Sequence, residues 1–408
     1  TPAGEYASTV KVYAKGRQLR TFDIGLTVIG RELPPPAEWN YYLDLWQHPA
    51  AVARVEGLDL WSDAHFEALV PYMRLLADAG QKVVTTTLNK DPWNNQCFDA
   101  YADMIVWTKN ADGSWSYDYT VFDRWVELMT GLGIDRTINC YSMLPWNNEL
   151  HYRDGSTGRF VDVTADPGTP AFEALWEPFL TDFTGHLREK GWLERTNIAM
   201  DERSPEEMTD ALGLLRKTAP ELGIAMADNK NSYLNYPFIN SMCVKVRDRV
   251  PPQHIAERRA QGFITTYYVC CSDRFPNMFT FSAPAEAVYA GWYMAACGYD
   301  GFLRWAYNSW VGEPLTDSRF RTFPAGDTYI IYPGARSSVR FERLVEGIQD
   351  AEKISILKKE FAAKGTPEAA SRLERLETLL SGFATITPEK GWPDRLSRAK
   401  RKLNELSR

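Results

Sequence analysis

Eight short apolar runs separated by longer amphipathic stretches dominate the sequence, and this alternation limits the fold more than any other feature. The runs cover residues 41–46, 82–88, 136–142, 197–201, 224–227, 242–246, 263–269 and 301–305. Each has the length and apolar character of a buried strand. Helical patterns lie between them. Ser62-Asp63 opens residues 64–79, Asp118 precedes 121–130, and further stretches cover 171–189, 204–217, 254–261 and 285–296. Ser204-Pro205-Glu206-Glu207 combines an N-cap Ser, Pro at the first helical position and acids in the first turn, all of which favour a helix start. Residues 228–242 are too short and aromatic for an ordinary crossover helix. Eight strands alternating with helices over about 300 residues predict the α/β class and a (β/α)8 TIM-like barrel. A doubly wound sheet is the alternative.

The flanks read differently. Residues 6–13 and 22–29 alternate in hydrophobicity around a turn at Lys15-Gly16-Arg17, so residues 1–36 are expected as a β segment and linker. Two strands are not stable alone, and this pair is expected as the remnant of a β-sandwich or an apron against the barrel. Leu33-Pro34-Pro35-Pro36 is a stiff linker. The barrel is placed at 37–360 and a C-terminal helical extension at 361–408, with helices over 339–357, 367–381 and 394–406. Arg395, Arg398, Lys400, Arg401 and Lys402 crowd that tail. A solvated helix face accounts for them better than an anion site.

Composition excludes several function classes. Lys plus Arg number 46 against 53 Asp plus Glu, a formal charge of −7, which gives no general attraction for nucleic acid. No apolar run approaches the roughly 20 residues of a transmembrane segment, so a soluble protein is expected. Six cysteines among 408 residues are too few for a disulfide scaffold. The adjacent Cys270-Cys271 reads as two reduced thiols. Five histidines include no H-x-x-x-H or H-x-H spacing, so neither a metal site nor a cofactor is expected. Nucleophile-elbow, P-loop and dinucleotide-loop motifs are also missing.

Aromatic residues are abundant, with 14 Trp, 20 Tyr and 19 Phe. Many sit among amides and hydroxyls, as in Trp93-Asn94-Asn95-Gln96, Trp146-Asn147-Asn148-Glu149 and Trp305-Ala306-Tyr307-Asn308-Ser309-Trp310. Rings in such company suit a sugar, with its apolar C–H faces and many hydroxyls; core packing is the competing explanation. In a barrel the chemistry comes from the carboxyl ends of the strands. Those ends offer Trp46 and His48, then Trp93, then Trp146 and Asn147, then Tyr267 and Tyr268, and finally Trp305, Asn308 and Trp310. Strand four ends on Asp201-Glu202. An acid pair closing an apolar strand is costly unless it is solvated, paired or used. Two carboxyls beside one glycosidic bond can divide proton donation from charge stabilisation. Adjacent strand residues point to opposite faces, so both acids reach one substrate only where the strand bends into its loop. A plain helix-start acid pair remains the alternative.

Several ordered motifs carry a resemblance. Gly301-Phe302-Leu303-Arg304-Trp305-Ala306-Tyr307-Asn308-Ser309-Trp310 is followed by Ala325-Gly326-Asp327-Thr328-Tyr329 and Tyr332-Pro333-Gly334. Then come Ser338-Val339-Arg340-Phe341-Glu342 and Gly347-Ile348-Gln349-Asp350. With the upstream Ile198-Ala199-Met200-Asp201-Glu202, this set resembles glycoside hydrolase family 123 and the domain family once catalogued as unknown-function family 4091. Arg203 departs from the pattern, since many relatives carry Pro there.

The resemblance implies a retaining exo-β-N-acetylgalactosaminidase in which the sugar's own 2-acetamido group attacks. Glu202 is then the general acid/base, expected to be protonated at rest. Asp201 orients the acetamido group and is expected to stay ionised. Trp46, Trp146, Asn147, Tyr267, Tyr268, Trp305, Asn308, Trp310 and Asp327 are the expected substrate contacts. The expected partner is a glycan or glycolipid bearing terminal N-acetylgalactosamine, outside the cytoplasm, with any targeting segment upstream of Thr1. An N-acetylglucosaminide specificity and a non-catalytic carbohydrate-binding barrel are the alternatives.

Overall fold

The computed structural model describes residues 1–408. The chain opens with an antiparallel hairpin, β1 (Gly4–Ala14) and β2 (Arg17–Val28). It then enters the barrel through β3 (Tyr42–Leu45), crosses by α1 (Pro49–Glu56) and α2 (Asp63–Asp78), and returns as β4 (Val83–Thr87). An excursion, β5 (Val106–Lys109) and β6 (Trp115–Asp118), precedes α3 (Thr120–Gly131) and β7 (Thr137–Tyr141). A second excursion, β8 (Glu149–Asp154) and β9 (Phe160–Thr164), precedes α4 (Pro170–Glu189) and β10 (Thr196–Asp201). Thereafter the chain runs α5 (Pro205–Thr218), β11 (Gly223–Asp228), β12 (Ser241–Lys245), α6 (Pro252–Ala260) and β13 (Ile264–Tyr268). It ends with α7 (Ala285–Cys297), β14 (Gly301–Arg304), α8 (Val339–Lys364), α9 (Pro367–Ser381) and α10 (Trp392–Leu406).

Eight parallel strands, one at each predicted run, line up in the order β3-β14-β13-β12-β11-β10-β7-β4. The order is sequential around the ring, as a (β/α)8 barrel requires. The seam between β3 and β4 closes differently from the other pairs. One bridge joins Leu43 to Gln81, and buried glutamine side chains do the rest. Gln81 Oε1 accepts the Leu45 amide at 3.0 Å, and Gln47 Oε1 accepts the Thr85 amide at 2.8 Å. Each amide side chain supplies a donor and an acceptor, so it replaces a ladder rung without leaving a buried backbone group unpaired.

Side-chain alternation divides the interior into two layers. Leu43, Leu45, Val84, Ile138, Ile198 and Phe302 face the helices in the large outer core. Trp46, Tyr141, Ala199, Ala225, Ala227, Tyr268 and Leu303 form a smaller cluster inside the barrel. The three alanines on β10 and β11 leave space that the indoles and phenols opposite do not fill. That space becomes the cleft described below. Outside the ring, α7 and α8 touch backbone to backbone: a Cβ on Gly291 would lie 2.1 Å from the Gly347 carbonyl oxygen.

Between β11 and β12 there is only a 3-10 turn, Ser232–Leu234, in keeping with a stretch too short and aromatic for an ordinary helix. One feature departs from the sequence expectation. The excursions pair into a four-stranded sheet, β6-β5-β8-β9, that the sequence did not signal. Its strands are four to six residues long and mostly half-exposed. Trp107 anchors it by stacking on Phe179 of α4 at 4.2 Å. Part of the aromatic excess is thus packing, which is the competing explanation above. No helix is long and apolar enough to cross a membrane.

Candidate active site

Asp201 is the last residue of β10 and is buried, on the inward face that Ala199 shares. A continued strand would turn Glu202 away from the lumen. Instead Glu202 adopts φ 50°, a left-handed conformation rare outside glycine. Its amide still donates to the Ala227 carbonyl at 2.9 Å, so the turn begins while pairing to β11 is intact. Both carboxyls therefore line the same cavity. Such backbone strain costs about 1–3 kcal/mol and persists where the surroundings enforce it.

Three aromatic donors fix the pair. Trp93 Nε1 donates to Asp201 Oδ2 at 2.9 Å, and Trp146 Nε1 donates to the Asp201 carbonyl at 3.2 Å. The Tyr268 hydroxyl donates to Glu202 Oε1. Arg203, the departure from the family pattern, is an anchor. It donates to the Trp146 carbonyl at 3.2 Å and to Asn148 Oδ1 at 3.0 Å, and it pairs with Glu207. Glu207 in turn completes a capping box with Ser204 at the start of α5. Arg203 thereby ties the loop carrying Trp146 to the helix that follows the acids.

The cavity holds about 250 Å3 and opens at the carboxyl ends of the barrel strands, room for roughly eight waters at their liquid volume, or for one sugar ring with its substituents. Trp46, Trp146, Trp305, Tyr268, Leu303 and Phe323 give it apolar walls. Trp46 stacks on Trp93 at 4.8 Å, and Trp305 leans on Phe323 at 5.4 Å. Gln96, Lys245 and Ser272 supply polar groups beyond the acids, beside the Cys270-Cys271 thiols. Neither the Gln96 amide nor the Lys245 ammonium is held in an ion pair; the ammonium lies beside the Cys270 thiol, in the field of Asp273 and Glu202. Both have donors free for a ligand.

Electrostatics here run against the expected division of charge. Burial, and then the adjacent Glu202 carboxylate, push Asp201 well above the ordinary carboxylate range, against the opposing Trp93 N–H and Arg203 charge. Both effects make ionisation of Asp201 costlier in the free protein than for an ordinary carboxylate, whereas the resemblance implies an ionised one. Beneath the Trp46 floor, burial raises Asp44 to about 7 as well. Burial and the Glu202 charge also raise Tyr268, which keeps its proton and remains a donor.

Five of the eleven candidate residues lie off the cavity wall. Tyr267 alternates outward and donates its hydroxyl to the Ala290 carbonyl of α7 at 2.8 Å. Asn308 clamps His48, accepting its amide at 2.9 Å and donating to its carbonyl at 3.0 Å. Trp310 is buried and donates to the Ile331 carbonyl at 2.7 Å. Asp327 pairs with Arg304 at 3.1 Å, both side chains being 0% exposed. These four are structural, because neighbouring protein groups satisfy them or hold them in the core. Asn147 sits at the rim, its Oδ1 accepting the Glu149 amide at 3.2 Å. His48 is buried against Tyr101 at 3.8 Å, and burial lowers it to about 3, so its ring stays neutral. Trp46, Trp146, Tyr268, Trp305, Asp201 and Glu202 come together. Sequence reasoning passed over Gln96, Lys245 and Phe323 as contacts. Lys245 ends β12, a strand end as legible as the others.

The family model for the glycoside hydrolase 123 catalytic domain matches residues 46–357. A solved family 123 glycoside hydrolase from Clostridium perfringens, from work on glycolipid glycan hydrolysis, superposes with a TM-score of 0.89. It is 29% identical, and the match covers 99% of this chain and 76% of that one. SrfJ from Salmonella typhimurium superposes at a TM-score of 0.40 with 12% identity, over 85% of this chain and 84% of its own. The maltogenic alpha-amylase AmyB from Thermotoga neapolitana superposes at 0.42 with 11% identity, over 77% of each chain. No curated protein matches the sequence. With its carboxyl pair at the mouth of an eight-stranded barrel and three-quarters of its length in the family model, the chain belongs to glycoside hydrolase family 123 and is a glycosidase.

Proposed function

We propose that the protein removes terminal β-linked N-acetylgalactosamine from glycans or glycolipids with retention of configuration, and that it works outside the cytoplasm. The observation that carries this is the left-handed turn at Glu202, which puts two adjacent carboxyls on one sugar-sized aromatic cavity. The Clostridium perfringens relative supports the glycolipid substrate class. The sugar's acetamido oxygen attacks C1 as Glu202 gives its proton to the departing glycosidic oxygen. The bicyclic oxazolinium ion that results is opened at C1 by water, whose proton returns to Glu202. Asp201 accepts the acetamido N–H and offsets the charge growing on that group. No protein atom bonds to the sugar. Intramolecular attack gains up to roughly 7–11 kcal/mol from proximity.

The raised Asp201 fits this scheme if the pair shares one proton. Two neighbouring carboxyls do not both ionise readily. An acetamido N–H arriving at Asp201 favours its carboxylate. Hydroxyl recognition passes from Asn308 and Asp327 to Gln96, Lys245 and Ser272.

A panel of 4-nitrophenyl β-glycosides tests the assignment. Turnover of the N-acetylgalactosaminide should exceed that of the N-acetylglucosaminide and of the plain galactoside by roughly a hundredfold or more, since buried polar groups left unpaired penalise the wrong sugar. Preference for the glucosaminide would move the specificity. Saturable binding of free sugar without any turnover would favour the carbohydrate-binding alternative.

A further inference from the structure

A large groove lies remote from the acids. It holds about 760 Å3 and runs between α9 and α10, lined by Arg372, Arg375, Arg395, Arg398 and Lys402 against Glu374 and Glu405. Arg372 reaches Glu368 at 3.7 Å, whereas the other four cations form no ion pair. On the opposite side of α10, Lys400 is held by Glu346 at 2.6 Å and Asp350 at 2.5 Å. The helix thus pairs its charge where it meets the barrel and leaves it unpaired in the groove. A merely solvated face would mix signs at helical spacing on a convex surface. This surface is concave and of one dominant sign on a chain of net charge −7.

A second cavity of about 270 Å3 shares Arg395 and Arg398 with the groove and adds Lys390 and Trp392. Trp392 packs against Phe275 at 4.9 Å. Phe275 belongs to the loop after β13 whose Cys270, Cys271 and Ser272 line the sugar cavity. The basic groove therefore leads toward the loop that walls the active site.

We propose that the α9–α10 groove binds an acidic oligosaccharide, its sulfate or carboxylate groups held by Arg375, Arg395, Arg398 and Lys402. Guanidinium groups take planar anions in paired hydrogen bonds, and the half-buried Trp392 lines the adjoining cavity. A bilayer fits less well, because no large apolar side chain of α9 or α10 is exposed for insertion. The site adds to the hydrolytic function and stands whether or not the cleft has the specificity proposed above.

Titration of the full chain with a heparin-derived hexasaccharide at low and high salt tests it. Binding should weaken with salt and fall about tenfold or more in Arg395→Gln/Arg398→Gln, a loss equivalent to about 1.4 kcal/mol. Because Arg395 also packs on Gly382 and Phe383, Arg398→Gln/Lys402→Gln provides a second variant, expected to lose binding similarly. Turnover of a small aryl glycoside should be unchanged in both. Undiminished affinity in the two variants would overturn the assignment. So would equal binding of uncharged dextran, or tighter binding to DNA or to phosphatidylserine vesicles than to the hexasaccharide.

Discussion

Glu202→Gln is expected to lower kcat/KM by roughly 10²–10⁴-fold on a β-glycoside whose leaving group must be protonated, the range that general acid–base catalysis supplies. On a dinitrophenyl glycoside the first step needs no proton, so the loss should be far smaller there. Glutamine keeps the volume and can still accept from the Tyr268 hydroxyl, which now donates to Glu202 Oε1. The cavity therefore keeps its shape, and KM should move little. Equal losses on both leaving groups would assign Glu202 a role in binding or folding instead.

Asp201→Asn is expected to cost about 10²–10³-fold in kcat, comparable to removing one preorganised group from a developing charge. The geometry sharpens this expectation. Trp93 Nε1 donates to Asp201 Oδ2 at 2.9 Å and would claim the single oxygen of an asparagine. The amide nitrogen would then face the sugar, setting donor against the acetamido N–H. Stability should move the opposite way. Burial and Glu202 raise Asp201 above its unfolded value, so the folded protein binds the extra proton. The stability this confers is full below the unfolded pKa and is lost as pH rises through the folded one. Asparagine needs no proton. The variant should therefore unfold at a higher temperature than the parent near pH 8, with the gap closing toward pH 4. A less active but more stable variant is the pattern of a strained functional site. Near-parental turnover, or a gap that widens on acidification, would contradict the role given to Asp201.

The barrel was legible because burial of a parallel strand on both faces writes an apolar run, and a strand lies at each of the eight runs. The excursion sheet was not, since β6 and β9 are only four and five residues long and alternate between half-buried and exposed, with no fully buried face. Its stability comes from Trp107 on Phe179, a contact between residues far apart in sequence. Of the site, the strand-end acids and Trp46, Trp146 and Trp305 could be found by position alone. Facing could not. Tyr267 and Tyr268 are adjacent, and only pairing register decides which enters the lumen. Asn308, Trp310 and Asp327 belong to the recognised motif, yet their partners are His48, Ile331 and Arg304. Motif membership there marks the packing of the loops after β14. The Glu202 turn was foreseen only as a need for the strand to bend; its left-handed φ is tertiary. The basic tail was read as a solvated face, because the groove exists only once α9 and α10 pack side by side.

In the mechanism proposed above, the substrate's own amide oxygen, and no protein atom, attacks C1 in the cavity shared by Asp201 and Glu202. The most direct measurement is kcat for aryl β-galactosaminides whose N-acyl group is acetyl, fluoroacetyl, difluoroacetyl or trifluoroacetyl. Each fluorine withdraws electrons from the attacking oxygen without changing the leaving group. The account predicts a steep, regular fall in log kcat along the series, with the trifluoroacetyl substrate nearly inert. A flat response would mean that the acetamido oxygen is a bystander and would contradict it.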